Sequence, residues 1–272
     1  MEVFGNDWIL GNFQASNFGL MLASFSYNGE SEDELGFKLS TNEEFIGNKP
    51  VPVYLGDKYE DKLRPQITLC KNPDTYSQKD LYFSEKDCRW ILRELTGIRG
   101  YQWMKIIDLE ESEDIWFKAK ANNVSYKRVG GNIVGFIIEL ECNSCYGYST
   151  EFITKINAKT KTPFKLFNNS DDLTNYVLPT VTIKTTSTGT FSICNQSDNN
   201  WITEIKNMKV NESVVIDSEH EILSSSEVSH NHLLDDFNLH FIRLVSNENI
   251  FVTNVDAIIT FKYRVPRKVG FR

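Results

Sequence analysis

The chain has 272 residues, of which 40% are hydrophobic and 12% aromatic, and this composition excludes a disordered protein. The formal net charge is −8 at pH 7, and the densest charged run, residues 108–114, is acidic, which disfavours binding to nucleic acid. No basic region followed by an apolar stretch opens the sequence, and no run approaches the roughly 20 apolar residues that span a bilayer. We therefore expect a chain made in the cytoplasm, without membrane insertion.

The first 145 residues read as a mainly β domain with one helix. In one predicted strand, Trp116 and Lys118 share one face while Phe117 and Ala119 share the other, and this alternation fixes the register. The predicted strands of this domain are residues 9–13, 20–26, 37–40, 67–70, 101–107, 115–124 and 134–141.

The helix is predicted to begin at Ser84. Its hydroxyl is an N-cap group, and Asp87 at the third helical position makes a variant of the capping box. Gly97 is a natural stop, so we predict a helix of about three turns. Apolar side chains recur between these limits at the spacing of one helix face, at Cys88, Ile91, Leu92 and Leu95.

Residues 45–65 differ in composition from the predicted strands, because several glycines and prolines interrupt the segment and tyrosines lie between them. One interpretation is a long surface loop. The other is an extended arm that reaches a neighbouring subunit, since long irregular stretches in compact domains usually have a function. The candidate contact residues of such an arm are Tyr54, Leu55 and Tyr59.

Residues 146–179 are rich in Asn, Thr, Ser and Lys and are predicted to link two domains. Beyond them, short segments rich in β-branched and aromatic residues are separated by Asn, Gly, Ser and Asp, which is typical of a β-sandwich. These predicted strands are residues 181–184, 190–195, 201–205, 213–217, 241–245, 249–252 and 257–263. We place the second domain at residues 146–272.

Metal and redox sites are weakly indicated. Cys142 and Cys145 have suitable spacing, but a zinc site needs two further ligands and no second pair is present, so we interpret Cys142 as the end of a buried strand and Cys145 as a turn residue. Four histidines lie close in sequence, at His220, His230, His232 and His240. Their Ser-rich and Asp-rich surroundings indicate a loop, and we predict neither a metal site nor a cofactor.

Two further features have alternative interpretations. Trp201 either stacks on a sugar or closes the end of the sandwich core. Glu139 and Glu141 lie on one side of a strand and could act as paired carboxylates of a glycosidase, but polar residues facing water explain them better. No nucleophile elbow, phosphate loop or HExxH motif is found, so no enzyme activity is predicted.

Three stretches resemble the distal tail proteins of long-tailed bacteriophages, the siphophage tail component family. Residues 13–20 resemble a Ser-x-x-Phe-Gly-like element after the first strand. Residues 136–148 resemble the strand, cysteine and aromatic boundary of the family, although Ser144 and Cys145 stand where a proline is frequent. The third stretch, within residues 207–270, is similar to a closing Gly-Glu-x-x-x-Ile-Asp … Asn-x-Ile … Tyr-Arg pattern, with Asn211 in place of the glycine.

The resemblance implies an N-terminal, barrel-like or sandwich-like domain that forms a hexameric ring, and a C-terminal galectin-like or carbohydrate-module-like sandwich. It implies a hub at the virion tail tip that joins the tail tube protein to tail-lysin, baseplate, fibre or receptor-binding proteins, with DNA passing through the lumen without specific binding. The galectin motif His-x-Asn-x-Arg is absent, because residues 240–243 lack the asparagine. The alternative hypothesis is a two-domain carbohydrate-binding protein for attachment to a cell surface.

Overall fold

The computed structural model describes residues 5–23, 39–47, 50–59, 62–107 and 114–268. The chain divides into two compact units: the described residues up to Ser149 together with Lys268, and Thr150–Arg267. Strands predominate in both units, and the described residues contain one α-helix, which confirms the predicted fold class. None of the described helical residues forms a helix long and apolar enough to cross a bilayer.

The first unit is built on an antiparallel sheet in the order β2-β1-β7-β8-β9-β6-β3, with β10 beside β8. Strands β4 and β5 form a separate hairpin. The bounds are β1 (Asp7–Leu10), β2 (Phe13–Gln14), β3 (Leu20–Leu22), β4 (Leu39–Glu44), β5 (Val53–Tyr59), β6 (Gln66–Lys71), β7 (Gln102–Ile107), β8 (Trp116–Val129), β9 (Asn132–Cys142) and β10 (Gly147–Tyr148).

The alternation predicted for β8 is confirmed. Phe117 and Ala119 are buried in the core of this unit, whereas Trp116 and Lys118 lie half-buried on the other face. Because side chains alternate across a strand, one face of the sheet collects the apolar residues and the other stays polar.

Helix α1 (Glu85–Thr96) closes this core with Cys88, Ile91 and Leu95. The predicted capping box is present: the Ser84 hydroxyl accepts the Asp87 amide at 3.2 Å, and the Asp87 carboxylate accepts the Ser84 amide at 3.0 Å. Gly97, where the helix ends, does not adopt a left-handed conformation, since its φ is −70°. A Cβ there would lie 2.4 Å from a backbone oxygen of the preceding turn, so the close approach requires glycine.

The second unit contains two antiparallel sheets in the orders β11-β19-β13-β16-β17 and β12-β18-β14-β15. The bounds are β11 (Phe152–Ala158), β12 (Phe164–Asn168), β13 (Thr180–Thr185), β14 (Gly189–Asn195), β15 (Trp201–Met208), β16 (Ser213–Asp217), β17 (Ile222–Ser225), β18 (Asn247–Thr253), β19 (Ala257–Tyr263) and β20 (Pro266–Arg267).

These two sheets pack face to face as a β-sandwich. Ile183 of β13 and Ile193 of β14 are buried in the same core. Phe251 of β18 and Phe261 of β19 join the sheets, with ring centroids 5.5 Å apart. Inward apolar side chains alternate with outward polar ones, as expected for two sheets that enclose one core.

The predicted link at residues 146–179 is wrong, because it contains β11 and β12, an edge strand of each sheet. The outward residues of edge strands are polar or charged, here Lys155 and Lys165. The composition of this segment therefore resembles that of a linker.

The strand predicted at residues 241–245 is also wrong. Ile242 and Leu244 are buried, but only Leu244 forms a bridge, to Val177. The backbone oxygens of this segment are instead taken by side chains: Trp201 donates to the oxygen of Phe241 at 3.0 Å. An apolar run can therefore fill a core without joining a sheet.

Candidate assembly surfaces

The predicted arm is a β-hairpin rather than an irregular segment. Strands β4 and β5 pair from Leu39 opposite Tyr59 to Glu44 opposite Val53. Residues 48, 49, 60 and 61 of the predicted arm lie outside the described residues. An isolated two-stranded hairpin is at best marginally stable in water, so this one needs a further surface to pack against.

A bulge in β5 places two apolar side chains in solvent. Asn42 pairs with Gly56 and Glu43 pairs with Tyr54, so Leu55 is the extra residue. Gly56 has a φ of +122°, a conformation that favours glycine. Tyr54 is 58% and Leu55 is 55% exposed. A hydrogen bond from Tyr54 to the carboxylate of Asp57 raises the pKa of the tyrosine.

The tip of the hairpin extends this apolar surface. Phe45 is 70% exposed, and Ile46 and Val51 are exposed as well. Among the described residues, none of the hairpin contributes to the buried core of the first unit. The sequence reasoning named Tyr54, Leu55 and Tyr59 but missed these three, whose signal was a set of apolar residues flanking the turn between two strands.

The opening motif of the chain is organised by Asp7. Its carboxylate accepts hydrogen bonds from the Ser16 hydroxyl at 2.6 Å, the Ser16 backbone amide at 2.9 Å and the Gln14 side-chain amide at 2.7 Å. Burial by itself raises the pKa of Asp7, but the hydrogen bonds from Ser16, Gln14 and the Trp8 amide outweigh it and lower the pKa.

The rest of that motif packs on helix α1. The Phe18 ring lies 4.2 Å from the Trp90 ring. Gly19 has a φ of +63°, and a Cβ there would lie 2.6 Å from the Tyr76 ring. The Tyr76 hydroxyl donates to the Phe18 oxygen at 3.0 Å. The Ser-x-x-Phe-Gly-like spacing is thus a packing requirement of this corner.

Trp201 is covered on both faces in the second unit. The Arg243 guanidinium carbon lies 3.7 Å from the Trp201 ring centroid, and the His240 ring stacks on Trp201 at 4.2 Å. Two planar groups this close to one centroid cannot lie side by side, so they occupy opposite faces. Tyr176 extends the stack, with Arg243 4.1 Å from its ring centroid.

The carboxylate of Asp198 binds Arg243 and so holds it in this stack. It is 3% exposed, and Arg243 Nε donates to it at 2.6 Å. Sequence reasoning missed Arg243, Asp198 and Tyr176 as neighbours of Trp201. A sugar ring on Trp201 must displace His240 or Arg243, and glycan stacking at Trp201 stays a prediction.

The other candidate residues do not converge. His232 contacts Asp235, His220 contacts Asp217, and His240 contacts Trp201. The described residues contain no cluster of His, Cys, Asp and Glu that could hold a metal ion. Cys142 and Cys145 are buried thiols that are not joined in a disulfide, and burial raises the pKa of Cys142 to about 12.

Glu139 and Glu141 lie on the face of β9 opposite the core, as the alternation predicts. Glu141 accepts the Tyr101 hydroxyl at 2.9 Å and the Asn122 amide at 3.1 Å. The Tyr101 hydrogen bond, with Asn122 and Lys120, lowers the pKa of Glu141 to about 2. This carboxylate is held as a fully paired anion, which suits a surface network and not a general acid.

Comparison with known families decides what kind of protein this is. Residues 4–144 match the model of a phage tail protein N-terminal domain, and residues 146–263 match that of a phage tail C-terminal domain. The chain belongs to this family of phage tail proteins. The resemblance predicted from the sequence is confirmed, and family membership places the chain in the virion as a tail component. No curated protein sequence matches the chain.

Solved structures share the fold at low identity. The Dit protein (gp 19.1) of phage SPP1, described as a paradigm of the hub adsorption apparatus in phages that infect Gram-positive bacteria, is 11% identical with a TM-score of 0.61. The match covers 95% of this chain and 98% of that one. A chain of the phage P2 baseplate, in its activated conformation with Ca, is 9% identical with a TM-score of 0.56, over 98% and 100% of the two chains. These similar proteins are structural components and not enzymes.

Proposed function

We propose that this phage tail protein is the hub of the tail tip and assembles as a homo-hexameric ring. The ring joins the tail tube protein to tail-lysin, baseplate or receptor-binding proteins. The observation that carries the proposal is the hairpin arm, an apolar projection whose described side chains are not part of its own domain's core. The fold shared with a hub protein and with a baseplate component supports the same role.

Docking of the arm on a neighbouring copy would bury its exposed apolar side chains. Fully burying a side chain the size of Phe45, Leu55 or Val51 contributes about 1.5–3 kcal/mol. An arm that docks on a different surface of the next copy makes a heterologous contact, and such contacts close into a ring when the rotation per subunit completes a turn. The bulge at Gly56 supports this role, because it turns two apolar side chains outward.

The negative charge of the chain is compatible with a ring through which DNA passes. The formal net charge of −8 gives little attraction for phosphate, so DNA can pass through a ring of such subunits without being held. We assign the second unit the docking of baseplate, fibre or lysin proteins.

The test is the solution mass over a concentration series, measured by light scattering after size exclusion. We expect the wild-type chain to reach six times the 31.4 kDa mass of one chain, or a double ring. The double variant Tyr54→Ser, Leu55→Ser should dissociate at concentrations where wild type is assembled, because it removes apolar contact area from the arm.

The matched control is Ile153→Ser, which removes an exposed isoleucine of the second unit. It should assemble like wild type. A ring that persists in the double arm variant would contradict the role of Tyr54 and Leu55, and a wild-type chain that is monomeric throughout would contradict self-assembly.

A further inference from the structure

A strap of irregular backbone covers the free edge of β15. We define the strap as residues 227–240, between β17 and β18. Asn238 donates its backbone amide to the Glu204 oxygen at 3.1 Å and its side-chain amide to the Ile202 oxygen at 2.8 Å. The Glu204 amide donates to the Asn238 side-chain oxygen at 3.1 Å, and the Lys206 amide to the Asp236 oxygen at 2.8 Å.

The strap therefore satisfies the outward backbone groups of an edge strand. An uncovered edge is a template for pairing with a strand of another protein, and proteins cover such edges with loops. Leu233 and Phe237 of the strap are buried in the sandwich core, and Phe237 forms a bridge with Ile205. Opening the strap would expose both the edge and this apolar anchor.

One buried histidine fastens the strap. The side chain of His230 is 4% exposed and that of Glu212, in the turn between β15 and β16, is 0% exposed. His230 Nδ1 lies 2.6 Å from Glu212 Oε1, and Nε2 lies 3.1 Å from Asp236 Oδ2. Asp236 also accepts the Asn207 side-chain amide at 2.8 Å.

These two contacts together require two protons. Each is a hydrogen bond between a ring nitrogen and a carboxylate oxygen, and neither carboxylate carries a proton of its own when ionised. The cluster has the same proton count whether the ring is an imidazolium or a carboxyl holds one proton. Loss of a single proton leaves two acceptors facing each other at one bridge, beside a His230 side chain that is only 4% exposed.

The other groups near His230, Glu212 and Asp236 do not remove the need for two protons. Glu212 also accepts the Ser225 hydroxyl at 2.5 Å and the Lys209 amide at 2.8 Å. The Lys209 ammonium contacts Ser229 and lies 3.6 Å from the Glu227 carboxylate, at the exposed side of the strap.

His240 differs from His230 although it also ties the strap to β15. Its Nδ1 contacts the Ile202 oxygen at 3.0 Å, which a neutral ring protonated at Nδ1 maintains. Only His230 needs both of its nitrogens bridged to carboxylates.

We propose that His230 is a proton-dependent latch that holds the strap on β15. With both bridges protonated, the strap stays closed and the edge is covered. Release of one proton to solvent breaks a bridge, loosens residues 227–240 and uncovers the backbone groups at the edge of β15.

The test is hydrogen exchange of the full chain from about pH 6 to about pH 9, a range in which histidines in proteins ionise. The readout is the protection of the Glu204 and Lys206 amides after correction for intrinsic exchange. We expect protection to fall about tenfold to a hundredfold across this range, the loss expected for a hydrogen bond to a charged group. Amides in the centre of β19, such as Ile259, should not change.

Two variants separate the latch from a general effect of pH. In Glu212→Gln the amide can donate to a neutral Nδ1 and still accept the Lys209 amide, so protection should stay high at both ends of the range. His232→Gln, at an exposed histidine of the same strap, should behave as wild type. Constant protection in wild type, or an equal fall in Glu212→Gln, would overturn the proposal.

Discussion

The guanidinium carbon of Arg243 lies 3.7 Å from the ring centroid of Trp201, and the Nε of the same guanidinium donates to the buried carboxylate of Asp198 at 2.6 Å. Guanidinium groups stack on aromatic faces and bind carboxylates in a planar fork, and Arg243 does both at once. These contacts connect the segment that follows the strap with β15 and with the turn that precedes β15.

Replacing Arg243 by methionine should destabilise the second unit strongly. The change leaves the Asp198 carboxylate buried without its cation, which costs about 3–5 kcal/mol in folded proteins. Urea denaturation measures this loss. The matched control is Lys165→Met, which breaks an exposed ion pair with Glu248 and should cost about 0–1 kcal/mol. Equal losses in the two variants would contradict the structural role of the buried pair.

Glycan binding at Trp201 makes a distinct prediction, because His240 covers one face of the indole. We expect His240→Ala to increase any thermal stabilisation by oligosaccharides, and Trp201→Ala to abolish it, since a ligand that binds only the native state raises the unfolding midpoint. Thermal unfolding with a panel of sugars measures both effects. If no sugar shifts the midpoint of wild type or His240→Ala, the indole is a structural residue only.

Acid should destabilise the second unit through Glu212. Burial by itself raises the pKa of Glu212, but hydrogen bonds from Ser225, the Lys209 amide and His230 outweigh it and lower the pKa. A carboxyl with a lowered folded pKa contributes stability above its unfolded pKa of about 4.3, and that stability disappears as pH falls through the folded pKa.

We therefore expect the free energy of unfolding to fall more steeply in wild type than in Glu212→Gln as pH drops below about 4.3. Denaturant unfolding at a series of pH values gives both slopes. Parallel slopes in the two proteins would show that Glu212 does not carry this linkage.

The Gly19 corner should tolerate no side chain. Gly19→Ala combines a left-handed conformation, which costs L-residues about 1–2 kcal/mol, with a clash against Tyr76. Gly130→Ala is the matched control, because Gly130 has a φ of +57° and open space around its Cβ position. The thermal midpoint should fall further in Gly19→Ala, and an equal fall in both would mean that Tyr76 moves aside without cost.

Local patterns determined much of this fold in advance. The alternation around Phe117, the capping box of Ser84 and Asp87, and the stop at Gly97 follow from interactions within a few residues, and the structure contains each of them. The family resemblance rested on spaced motifs and was confirmed by matches over both halves of the chain.

The failures have a common cause. Strands β11 and β12 lie within a segment rich in Asn, Thr, Ser and Lys and each forms the edge of a sheet, whereas residues 241–245 have an apolar pattern without being a strand. Whether a segment joins a sheet depends on which partner satisfies its backbone groups, and those partners are distant in sequence.

The sequence by itself determined the mainly β class, the helix with its capping box, and the family, because these depend on short-range periodicity, composition and spaced motifs. Only the tertiary structure decided that Trp201 has both faces covered, that Asp198 is paired with Arg243, and that His230 bridges Glu212 and Asp236. Those contacts join residues 6 to 45 positions apart, and only the folded chain sets the distances between them.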